Sequence, residues 1–111
     1  MTALRAEAFS AGFSEDEIWK IELSVEEALV NIIKHGQTEE GIELSFAKSA
    51  PDGLMITIKD RGMPFDPSVS NFTTENSMTG GNGITILRKY MDSIHYQRHN
   101  DCNLLTLTKL L

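Results

Sequence analysis

An α+β two-layer sandwich, with its helices on one face of a mostly antiparallel sheet, is the fold class that this 111-residue sequence predicts. Three observations predict it. A helical apolar period runs between Ser14 and Gly36, a strand-like alternation sets in at Gly41 and returns after Asp92, and turn residues separate the strand candidates in pairs.

In chain order, residues 3–9 are expected to form a short helix ended by an Ala11-Gly12 turn. Ser14-Glu15-Asp16-Glu17 has the pattern of a capping box, in which the serine oxygen satisfies free amides of the first turn while Glu17 reaches back. A long helix should follow from about Glu15 to Lys34, with the core stripe Ile18, Ile21, Val25, Leu29 and Ile32, Ala28 and Ile33 beside it, and Gly36 closing it. Next, Ile42, Leu44 and Phe46 alternate with Glu43, Ser45 and Ala47. Pro51-Asp52-Gly53 turns the chain, and Leu54, Ile56 and Ile58 alternate with Met55, Thr57 and Lys59, which makes a hairpin. From Arg61 to Asn82 the chain is rich in Gly, Pro, Ser, Thr and Asn without periodicity, a loop of about twenty residues of the kind that binds something or stays disordered. A short helix is expected from Ile84 to Met91, with Ile84, Leu87, Tyr90 and Met91 at core spacing. Two strands, Ser93 to Arg98 and Leu104 to Leu110, are separated by His99-Asn100-Asp101.

Composition narrows the function. A chain this short buries roughly 60–65 % of its unfolded surface, enough for one core, so residues 1–111 are expected to be a single domain and any large partner another chain. With 16 acidic against 10 basic residues the formal charge is −6, which offers no basic field for nucleic acid or an anionic membrane. No apolar run is long enough to span a bilayer and MTALRAEAF lacks the layout of a signal peptide, so a cytoplasmic location is expected. Cys102 is the single cysteine, which excludes an internal disulfide and a multi-cysteine zinc site and reads as a bystander.

Three features could carry chemistry. Glu27, Asn31 and His35 stack at helical spacing beside the apolar stripe; the plain alternative is a solvated face with Glu27 paired to Asn31 or Lys34. Asp60-Arg61-Gly62 stands where the second strand of the hairpin runs out. A carboxylate there can accept a bond from a ligand amine while glycine lets the backbone bend close, or it simply caps the loop. Thr79-Gly80-Gly81-Asn82-Gly83 leads into the helix at Ile84, so unobstructed amides meet the positive end of a helix dipole, a phosphate cradle in the general sense. A flexible linker would explain the same run. It is neither the dinucleotide fingerprint nor a Walker loop.

Taken together these stretches resemble the GHKL, or Bergerat-fold, ATP-binding superfamily, and within it the anti-sigma-factor serine/threonine kinases of bacterial partner-switching systems. The matching segments are Ser24-Val25-Glu26-Glu27-Ala28-Leu29-Val30-Asn31-Ile32-Ile33-Lys34-His35-Gly36, then Asp60-Arg61-Gly62-Met63-Pro64-Phe65-Asp66-Pro67, then Gly80-Gly81-Asn82-Gly83-Ile84 with Tyr90-Met91-Asp92 behind it. The resemblance covers about residues 15–111 and implies a histidine-kinase-like ATPase fold. It implies that Asn31 holds Mg²⁺ bridging the phosphates of ATP and that Glu27 is the general base toward a substrate serine. It implies, too, that Asp60 contacts the exocyclic amine of adenine while Gly62 lets the backbone approach the ring. Residues 66–80 would form the lid, and Gly81 and Gly83 the phosphate-binding hinge, with Pro64, Thr79, Gly80, Asn82 and Ile84 completing the nucleotide contacts. His35 would face the phosphates, though a helix-ending histidine explains it equally well. Two departures stand out. The β-strand that usually precedes the first helix of the family is missing, so either the sheet is one strand short or another segment takes its place. Pro64 replaces a glycine of the Asp-x-Gly-x-Gly box, as it does in the small anti-sigma kinases. The function implied is that of an ATP-dependent protein serine kinase that binds a sigma factor and phosphorylates a STAS-domain antagonist, with a homodimer expected. The alternative is a non-catalytic ATP-binding module that controls a partner without phosphoryl transfer.

Overall fold

The computed structural model describes residues 2–36, 41–49, 52–62 and 82–111, with the backbone alone at 35, 36 and 82–85. Its elements are helix α1 (Thr2–Ala11), helix α2 (Glu15–Gly36), strands β1 (Glu43–Ser49) and β2 (Gly53–Asp60), helix α3 (Asn82–Tyr90), and strands β3 (Ser93–His99) and β4 (Cys102–Leu110). The four strands form one sheet in the order β1-β2-β4-β3, every neighbouring pair antiparallel. The expected α+β sandwich is therefore the fold. The first described element is α1, and β1 is an edge strand of the sheet.

Helix α2 begins where its cap dictates. The Glu17 amide donates to Ser14 Oγ at 3.2 Å, and three acidic residues in the first turn face the positive end of the helix dipole. The reciprocal arm of the capping box goes elsewhere, because the Glu17 carboxylate pairs with Lys109 of β4 at 3.3 Å and ties the start of the helix to the sheet. Arg5 fastens α1 to α2 by donating to Glu15 at 2.5 Å and to Glu22. Glu15 first and Glu22 second, as hydrogen-bond acceptors, hold the Arg5 guanidinium above its usual pKa.

The core joins Leu4 and Ala8 of α1, the α2 stripe Ile18, Ile21, Val25, Ala28 and Ile32, Leu87 of α3, and the inward residues of β2 and β4. Ile33 does not belong to it. That side chain is 40 % exposed, because it stands about 100° around the helix from Ile32, at the rim of a stripe of that width. Leu29 packs against the core only partly buried, while Ser24 is fully buried in the stripe with its hydroxyl donating to the Lys20 carbonyl at 2.9 Å.

Several boundaries differ from the sequence expectation. Helix α2 continues through Gly36. Helix α3 starts at Asn82 rather than Ile84, which puts Asn82 and Gly83 in its first turn. The hairpin between β3 and β4 is tighter than His99-Asn100-Asp101 suggests: Asn100 and Asp101 take positive φ of 49° and 63°, the two-residue turn whose twist matches the flanking strands, so His99 pairs with Cys102.

Candidate functional site

The inward-facing series of the sheet are apolar until they reach one end, where each turns polar. In β2 the series Leu54, Ile56 and Ile58 ends at Asp60, and in β4 the series Leu107 and Leu105 ends at Asn103. The register places Asp60 opposite Asn103 and Asn103 opposite Arg98, so three polar side chains lie in a row across β2, β4 and β3. The stripe of α2 does the same at its C-terminal part, where Asn31 interrupts the run between Ala28 and Ile32.

Asp60 is 2 % exposed, and a carboxylate so buried must be hydrogen-bonded to persist. Its Oδ1 accepts the Gly62 amide at 2.8 Å and Asn103 Nδ2 at 3.0 Å. The first bond is the loop cap considered from the sequence; the second was not anticipated. Asn103 is itself held from both sides: its Oδ1 accepts from the Tyr96 hydroxyl at 2.5 Å and from Arg98 Nη1 at 3.1 Å, and its Nδ2 also reaches the Gly62 carbonyl at 3.5 Å. Arg98 Nη1 donates to that carbonyl as well, at 2.8 Å. Gly62 is thus gripped at both its amide and its carbonyl.

Asn31 is 5 % exposed, and among the described residues its Nδ2 has no hydrogen-bond partner. An unpaired buried donor costs about 1–3 kcal/mol, so this amide works against the stability of the fold. Asn31 and Ala28 of α2 face Asp60, Tyr96 and Asn103 across a narrow cleft lined also by Ile32 and Leu105, whose cavity volume of about 10 Å³ is that of a single water. Ordinary small-molecule sites run from about 300 to 1,000 Å³, so the described walls frame only one end of a site. Two of the three sequence features therefore meet in one cavity. Glu27 stands half-buried one turn before Asn31 and is not one of the cavity's walls. Of the remaining expectations, Pro64, Thr79, Gly80, Gly81 and the lid at 66–80 lie outside the described residues, as do the side chains at His35, Asn82 and Ile84. Among the described residues no three His, Cys, Asp or Glu side chains gather as a metal cage. No helix among them is long and apolar enough to cross a membrane, and Cys102 is free and buried away from this cleft.

Sequence reasoning missed Asn103, Tyr96 and Arg98. The signal existed. Carried back two residues from Leu105, the alternation of β4 points Asn103 inward, but starting the strand at Leu104 left Asn103 outside it and concealed its pairing with Asp60.

A cleft at the end of an α+β sandwich, lined by a buried carboxylate and an asparagine with an unpaired amide, is the setting in which the comparisons fall. Residues 1–109 match the histidine kinase-like ATPase domain, and the chain belongs to that family. It is similar to the serine/threonine-protein kinase BtrW of Bordetella bronchiseptica, 30 % identical over 94 residues that cover 78 % of this chain and 66 % of that protein. It is also similar to the serine-protein kinase RsbW of Bacillus subtilis, 26 % identical over 112 residues that cover 90 % of this chain and 69 % of that protein. The chain spans about two thirds of the length of the curated relatives it matches.

Proposed function

We propose that the chain is an ATP-dependent protein serine kinase and anti-sigma regulatory factor acting on a STAS-type antagonist in a bacterial partner-switching system. The observation that carries the reading is the meeting of Asn31 and Asp60 in one cleft, the first with an orphaned amide and the second with a fixed carboxylate. The family and its kinase relatives support the same direction.

Each residue then has a task that its chemistry suits. Asp60 accepts the exocyclic amine of adenine, and Gly62, held by Arg98 and Asn103, keeps the backbone beside the base. Asn31 suits a magnesium-bound triphosphate: its amide oxygen is a hard ligand, and its unpaired Nδ2 needs an acceptor such as a phosphate oxygen. Magnesium, when bound, neutralises charge on the transferring phosphoryl group. Among the described residues no acidic cluster would hold the cation, so Asn31 and the nucleotide's own phosphates would have to. Glu27 orients a substrate serine and accepts its proton while the γ-phosphoryl group passes from ATP to the serine oxygen and ADP leaves.

The test is incubation of the purified chain with labelled ATP, Mg²⁺ and a STAS-domain antagonist, beside Glu27→Gln. Label on the antagonist that disappears in the variant, while ATP binding persists, supports the kinase. One observation favours a second reading, a nucleotide-binding module without transfer: Glu27 is not among the walls of the cleft. Under that reading the wild type labels nothing and Glu27→Gln leaves partner binding intact.

A further inference from the structure

Asn103 exhausts its hydrogen-bonding capacity. Both lone pairs of its Oδ1 are used by donors, Tyr96 and Arg98, and both hydrogens of its Nδ2 go to acceptors, Asp60 Oδ1 and the Gly62 carbonyl. Turning the amide over would set Oδ1 against a carboxylate and a carbonyl, and Nδ2 against a guanidinium. Only the Tyr96 hydroxyl could reverse its role. The amide is therefore locked in one orientation, and at 4 % exposure it lines the cleft itself. The lock passes to Asp60. Its Oδ1 takes both the Gly62 amide and Asn103 Nδ2, so Oδ2 takes part in neither bond and remains the acceptor for a ligand.

We propose that Asn103 is a positioning residue: by fixing the Asp60 carboxylate, with Tyr96 and Arg98 fixing Asn103 in turn, it makes the cleft prefer a 6-aminopurine nucleotide over a 6-oxopurine one. This rests on the reading of Asp60 as the contact to the base. An ionised carboxylate only accepts, so a held Oδ2 attracts the 6-amine of adenine and repels the 6-carbonyl of hypoxanthine. A carboxylate free to rotate discriminates less, because it can turn away from the carbonyl. Sites built around one buried polar contact reject the analogue lacking it far more strongly than an apolar pocket does.

The experiment is calorimetric titration of the full chain with ATP and with inosine triphosphate, each with Mg²⁺, for the wild type, Asn103→Leu and Tyr96→Phe, with the melting temperature of each. The wild type is expected to prefer ATP by more than about tenfold. In Asn103→Leu the preference should shrink to within about threefold, as ATP affinity falls while inosine triphosphate affinity holds or rises. Tyr96→Phe removes one of two donors to Oδ1 and should reduce the preference by about threefold. A folded Asn103→Leu that keeps the wild-type preference, or loses both affinities in parallel as a structural defect would, overturns the proposal. Should Asn103→Leu fail to fold, an unchanged preference in Tyr96→Phe overturns it. A wild type that binds neither nucleotide, or both equally, removes the reading of Asp60 and the role of Asn103 with it. Discrimination by the wild type that survives in both variants sinks the positioning role alone.

Discussion

Asn31 places a polar amide where the α2 stripe calls for an apolar side chain, and the two neighbours in that stripe, Ala28 and Ile32, are both buried. The amide nitrogen finds no partner among the described residues, so the free protein bears a desolvation penalty that a ligand can relieve. Asn31→Leu is accordingly expected to stabilise the unliganded protein by about 1 kcal/mol in urea denaturation while abolishing Mg²⁺-dependent ATP binding in calorimetry. Loss of stability in that variant would show that the amide oxygen matters to the fold. Asp60 is the opposite case, since its carboxylate is satisfied by groups that also order Gly62. Asp60→Asn keeps the size and can leave its amide oxygen where Oδ1 accepts the Gly62 amide and Asn103 Nδ2, but it puts an NH2 donor where Oδ2 would meet the base. It should weaken ATP binding at least about tenfold with stability changed by no more than about 1 kcal/mol, read in the same two assays.

At the scale of elements, the start of α2 and the β1-β2 turn are the local commitments that aim the site. Ser14 provides the cap of the helix that carries Glu27 and Asn31. Ser14→Ala should lower the unfolding free energy by about 1 kcal/mol without altering nucleotide affinity, because the cap lies at the far end of α2 from Asn31. Gly53 opens β2 opposite Leu110, and a Cβ added there would lie 2.5 Å from the Lys109 carbonyl oxygen. That contact is with backbone, so neither partner can swing aside. Gly53→Ala is expected to destabilise by about 1–3 kcal/mol in chemical denaturation, the cost usual for forced overpacking. The central pairing of β2 with β4 sets Asp60 against Asn103, so a slip there would also blunt the preference among nucleotides.

For the whole molecule, a ligand that binds only the folded state stabilises it by mass action. ATP with Mg²⁺ at one hundred times its dissociation constant should add about 2.7 kcal/mol, and raise the melting temperature of a domain this size by roughly 10 °C. Scanning calorimetry with excess chelator should remove most of that shift if the cation enters with the phosphates. A shift insensitive to the chelator would speak against Asn31 as a magnesium contact. The sandwich suits such linkage because its sheet and helices share one core, which ends directly at the cleft. Ordering of the site is then coupled to global stability rather than to a separate subdomain.

What the sequence determined by itself was whatever depends on local periodicity and on short motifs. The helical stripe of α2, the Ser14 cap, the alternation of β1 and β2, and the polar exceptions Asn31 and Asp60 are all written in neighbouring residues. Steric and hydrogen-bonding rules act over a few residues, so these features could be read without knowing the fold. Ile33 was misplaced because an apolar residue at the rim of a stripe looks the same in sequence whether or not something covers it. Only the tertiary structure decided that Asn31 and Asp60 share a cleft, and that Asn103, Tyr96 and Arg98 hold Asp60 in place. Those contacts cross three strands: the two-residue turn at Asn100-Asp101 sets the β3–β4 register, and the long-range pairing of β2 with β4 sets Asp60 opposite Asn103. Two positive φ angles let β4 begin at Cys102, which brings Asn103 into the strand. No periodicity within β4 alone could show which strand would lie opposite.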